Sequence, residues 1–158
     1  MSRVWLWLYA LIFCACSNLD DPRFSKNFYE EKMMQVTRKS EIVLKGKTQI
    51  VMFSTYLSEL DREKYSDGEY FFIEIDFEDE KKGIKDVEFV LAGHTPAEIK
   101  YIKNPKKEGF YIHSPWNRGY LVRFDSIPQT EIATLNLIAK FEGREMRFDY
   151  SFKDESIL

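Results

Sequence analysis

Few residues in this 158-residue chain could do chemistry, and they fall into four groups. Cys14 and Cys16 are the only thiols, His94 and His113 the only imidazoles, and Glu74, Asp76 and Glu78 stand in alternation before Asp79 and Glu80. The fourth group is "YIHSPWNRGY", where Tyr111, His113, Trp116, Asn117 and Arg118 lie within eight residues. A disulfide between Cys14 and Cys16 would close so small a ring that it removes almost no chain entropy. Two thiolates alone do not complete a metal site, which needs further ligands, and both histidines are far off in sequence.

The imidazoles offer at most a thin acid–base or metal site. His94 sits in "AGHTPAE", between Gly93 and Pro96, and reads as a solvated turn residue. His113 ends an apolar stretch beside Trp116, the only tryptophan after residue 15. Exposed Trp and Arg side chains dominate binding hot spots, so this loop is the candidate partner contact, with Trp116, Arg118, Asn117, His113 and Tyr111 as its residues. The structural alternative, favoured by composition, is that Trp116 folds back to cap one end of the domain. Calcium ligands come from a loop that wraps the ion, whereas carboxylates alternating on a strand spread along one face. The row Glu74, Asp76, Glu78 is therefore expected to be solvated, as is the basic run "KNPKKEG". No G-x-S-x-G, H-E-x-x-H, G-x-G-x-x-G or P-loop pattern occurs, so no catalytic residue, cofactor or metal is expected.

The beginning of the chain carries a different signal. Arg3 precedes the uncharged apolar block Val4–Phe13, well short of the roughly 20 residues needed to span a membrane. Small and polar residues follow, which is the pattern of a secretory signal peptide. "FCAC" resembles the bacterial lipoprotein signal, in which a cysteine follows small residues directly after the apolar block. The resemblance implies cleavage after Ala15 and a diacylglyceryl anchor on Cys16, which also removes that thiol as a nucleophile. Phe13 and Cys14 depart from the commoner aliphatic and small residues at those positions. Ordinary signal cleavage and an uncleaved apolar anchor are the alternatives. The expected organisation is a signal at 1–15, a lipidated tether at 16–24 and one domain at 25–158.

Without residues 1–15 and their single base, the chain has 143 residues with 22 bases and 26 acids. That balance gives no basic patch for nucleic acid, and membrane attachment would rest on acyl chains. No cysteine remains to cross-link the domain, so an aromatic-rich apolar core must hold it.

The elements that position these residues are read from periodicity. "SKNFYEEKMMQVTRK" places Tyr29, Met33 and Val36 on one helical stripe, with Ser25 as cap and Glu30 and Glu31 near the positive end. Beyond it the period is two. Phe71, Ile73, Ile75 and Phe77 share one strand face. Ala133, Leu135, Leu137, Ala139 and Phe141, then Met146, Phe148, Tyr150 and Phe152 after Glu142-Gly143, predict a hairpin. Further strands are expected at 48–57, 87–91, 98–102, 109–113 and 120–125, with one helical turn in "SELDREKYSDG". Seven or eight short strands with frequent turn signals predict a mainly β domain: an antiparallel β-sandwich of immunoglobulin-like outline behind a short N-terminal helix, a small β-barrel being the alternative.

"TRKSEIVLKGKTQIVMFSTYLSELDREKY" is similar to the start of uncharacterised bacterial lipoproteins, in which a strand runs into a "TYLS" stretch and a short helix. The resemblance implies no activity. The expectation is a non-catalytic envelope lipoprotein facing the periplasm or cell exterior, with a membrane anchor on Cys16 and an envelope protein as partner. A carrier of an apolar or lipid-like ligand is the alternative, and a hydrolase comes third.

Overall fold

The computed structural model describes residues 22–128 and 135–151, with side chains described from residue 29 onward. The predicted signal and most of the predicted tether, as well as Ala133 and Phe152, lie outside the described residues.

Helix α1 spans Pro22–Gln35. It starts ahead of the expected Ser25, with proline in its first turn, where a missing N–H costs nothing and the fixed φ suits a helix. Glu30 and Glu31 are therefore mid-helix rather than near its positive end. Met33 and Val36 are buried as the stripe predicts, whereas Tyr29 is exposed. The helix ends four residues before the predicted Lys39, because Val36 and Thr37 are β-branched and a new strand begins. Thr37 Oγ1 donates to the Met33 carbonyl at 2.6 Å, fixing that change of direction.

Eight strands follow: β1 Thr37–Leu44, β2 Lys47–Tyr56, β3 Gly68–Phe77, β4 Val87–Leu91, β5 Glu98–Ile102, β6 Arg118–Asp125, β7 Asn136–Phe141 and β8 Arg144–Asp149. One helical turn, Leu57–Leu60, follows β2. The hairpins β1–β2 and β7–β8 close through Lys45-Gly46 and Glu142-Gly143, each pair with positive φ at both positions. That is the two-residue turn whose twist matches paired strands.

Two antiparallel sheets result, with orders β1-β2-β3-β6-β5 and β4-β7-β8. Neither closes on itself, so the domain is a β-sandwich and not a barrel. With β2 to β8 lettered A to G, the orders become A-B-E-D and C-F-G, the immunoglobulin constant-type arrangement. β1 is an added strand beside A. Arg38, on β1, donates through Nε to the Asp149 carbonyl at the end of β8 at 3.0 Å, joining the sheets along that side.

The inner faces carry the alternation read from sequence. Phe71, Ile73, Ile75 and Phe77 of β3 meet Phe89 and Leu91 of β4, Leu137 and Ala139 of β7 and Phe148 of β8 in one cluster. At one end of it Tyr150 places its hydroxyl 2.6 Å from the Ser54 carbonyl, to which it donates, and 2.6 Å from Ser54 Oγ. Burial pushes the Tyr150 phenol far above its ordinary pKa. Tyr56 is raised in the same sense, first by burial and then by donating its hydroxyl to the Glu69 carboxylate.

The outer face of the five-stranded sheet carries a second cluster: Phe72 with Met33, Val36, Leu57, Ile102 and Phe110. The segment 109–113 that supplies Phe110 is not the expected strand. After the 3-10 turn Pro105–Glu108 it crosses the outer face as irregular chain, because its aromatic side chains bind that face instead of pairing its backbone into a sheet.

Candidate functional site

The loop that the sequence singles out is fastened by a residue that the sequence placed on a solvated face. Glu74 is 1% exposed, on the outer face of β3. Its Oε2 accepts the His113 N–H at 2.8 Å and the Asn117 Nδ2–H at 3.0 Å. Oε1 lies 2.7 Å from His113 Nδ1, which donates to it. Three donors from one loop thus converge on one carboxylate, which is how a buried charge avoids the penalty of an unpaired one. The expected solvated row is corrected here: Asp76 and Glu78 are exposed, and Glu74 is enclosed.

Aromatic contacts set the rest of the segment. Phe110 stacks on Phe72 with centroids 4.4 Å apart and planes within 5°. The His113 ring lies parallel on Phe53 at 4.1 Å, and Tyr111 meets its edge at 5.0 Å. Gly119, opposite Glu74 on β6, makes the approach close enough. A Cβ there would come within 3.0 Å of both the Phe72 ring and Pro105 Cγ. The loop is thus seated on the sheet by two ring stacks and one carboxylate.

Trp116 does not cap the sandwich. It is 81% exposed, although its backbone is held by an N–H bond to Ser114 Oγ at 3.3 Å and by the Asn117 N–H to the Ser114 carbonyl at 3.1 Å. Its indole borders a groove of about 540 Å³ over the ends of β2 and β3, where Gln49, Val51, Asp76 and Glu78 also line the wall. Arg118 lines the same groove and donates to the Lys82 carbonyl at 3.2 Å. The five loop residues predicted from sequence therefore divide in two. His113, Asn117 and Tyr111 take part in seating the loop; Trp116 and Arg118 face the groove.

His94 stands apart, exposed at the end of an isolated bridge with Leu91. Lys103, Lys106 and Lys107 are exposed on the turn after edge strand β5. Among the described residues no group of three or more His, Cys, Asp or Glu side chains could hold a metal ion. Every buried side-chain nitrogen or oxygen among them has a hydrogen-bond partner. Chemically, the Glu74–His113 pair fastens the loop, and the groove with its indole offers a surface for recognition. The fold and this surface define a β-sandwich of immunoglobulin-like strand order with one seated, Trp-bearing loop. Comparison with protein-family models, curated proteins and solved structures finds no match for this chain.

Proposed function

We propose that the protein is a bacterial envelope lipoprotein, lipid-anchored through Cys16, whose sandwich serves as a non-catalytic binding module with Trp116 as its contact. The observation that carries the binding role is the combination at Trp116: an indole 81% exposed on a backbone fixed through Asn117 to a buried carboxylate. A large apolar side chain held out to solvent on an ordered loop forfeits burial energy unless something covers it, and its fixed backbone lowers the ordering cost when something does. The anchor rests on the basic start, the short apolar block and "FCAC". No helix among the described residues is long and apolar enough to cross a membrane.

Two arms test the proposal. Cys16→Ser is expected to lose incorporation of radiolabelled palmitate and to leave the membrane fraction; retention of the label would remove the anchor. A photo-crosslinking amino acid at position 116 is expected to give one discrete adduct in intact cells, and the same group at position 94 none. Equal patterns at both positions would remove Trp116 as the contact.

A further inference from the structure

The groove beside Trp116 has a chemistry of its own, and it points to the class of partner that would fill it. Its volume of about 540 Å³ falls in the range of sites that hold a ligand group. Asp76, Glu78 and Glu80 line it against one guanidinium, Arg118, which is already donating to the Lys82 carbonyl. Glu78 is paired with Lys47, an exposed lysine. The Asp76 and Glu80 carboxylates have no hydrogen-bond or ion-pair partner among the described residues. Trp116 and two carboxylates without partners thus border the same concave surface.

We infer that this groove receives a lysine or arginine side chain from an extended basic segment of a protein partner. The inference rests on the reading of Trp116 as the contact and names what meets it. A cation over the indole gains cation–π attraction, and the carboxylates beside it add charge-assisted hydrogen bonds. Gln49 and Thr48 on the groove wall supply neutral donors and acceptors for the peptide groups that flank such a side chain. A neutral saccharide would use the indole and the amide but leave the Asp76 and Glu80 carboxylates without a charge partner. The chain's formal charge of −3 also favours encounter with a basic partner.

The test is calorimetric titration of the full chain in detergent micelles with penta-lysine, penta-glutamate and a neutral gluco-oligosaccharide. Penta-lysine is expected to bind saturably, and more weakly as ionic strength rises. Trp116→Ala and the double variant Asp76→Asn/Glu80→Gln are each expected to weaken it about tenfold. Penta-glutamate and the oligosaccharide are expected not to bind. All of these positions are exposed, so each variant is expected to keep the native circular dichroism spectrum, which is recorded alongside each titration. Absence of penta-lysine binding, equal affinity in the variants, or preference for the oligosaccharide overturns the inference. The in-cell adduct at position 116 separates the two readings. An adduct without penta-lysine binding removes the cationic partner and keeps the contact; penta-lysine binding without an adduct keeps the groove chemistry and removes the contact.

Discussion

One face of strand β3 meets two different fates within five residues. Phe72 and Glu74 lie under the 103–117 segment and are 0% and 1% exposed, whereas Asp76, next on the same face, is open to solvent in the groove. The alternation that places all three on the outer face is identical, so strand periodicity does not decide which is covered. Coverage follows the path of a chain segment about forty residues downstream, and that path is set by side chains: Phe110 on Phe72, His113 on Phe53, and His113 and Asn117 on Glu74. The covered half holds the loop, and the open half is where the loop presents Trp116.

The largest effect should come from the covered half. Phe72→Ala removes the ring that Phe110 stacks on and leaves a cavity between sheet and segment, an expected loss of about 3–4 kcal/mol in urea unfolding. Glu74→Ala leaves three donors of the loop without their acceptor, and about 2 kcal/mol is expected, read by the same titration. If Asp76→Ala cost as much as Glu74→Ala, the division of the face into two halves would be wrong.

A pH series sharpens the contrast by isolating the inner core. The Tyr56 and Tyr150 phenols are raised in the fold, mainly by burial, so above the ordinary phenol value of 10.0 the unfolded chain ionises while the folded one stays neutral. The folded state then binds more protons, and stability is full below that value and falls as pH rises past it, by about 1.4 kcal/mol per pH unit for each phenol. Melting temperatures between neutral pH and pH about 11 check this, and Tyr150→Phe should flatten the decline. The smallest effect is expected at the groove: Trp116→Ala should change unfolding stability by less than about 0.5 kcal/mol. A marked drop in melting temperature for that variant would mean that the indole is structural.

Most of the sandwich was legible because its inner faces obey simple rules. The alternation at 71–77, the Glu142-Gly143 hairpin and the strand at 87–91 are set by local pattern and one buried face. β1 escaped because "TRKSEIVL" is an edge strand with a single buried position, Ile42, so it shows little alternation and could be attached to the preceding helix. The segment 109–113 resembles a strand because it is a short run of aromatic and β-branched residues after a glycine, yet Phe110 and His113 are anchors onto another element's face. For the site, composition drew attention to Trp116, Asn117 and His113, but Glu74 was hidden in a row of acids. The one local clue was Phe72: an aromatic residue two positions before Glu74, on the supposedly solvated face, implies that this face is covered there. Which segment covers it is a tertiary fact, fixed by contacts between residues 39 and 43 positions apart.

The division of that face is tested most directly by hydrogen exchange at a single amide. The His113 N–H, donated to a buried carboxylate, should be protected in the native protein. In Glu74→Ala it should exchange freely while the amides of β7, in the other sheet, keep their protection. A His113 amide that exchanges in the native protein as fast as one in an open turn would contradict the account, because the loop would then be unfastened and the exposure of Trp116 would carry no meaning.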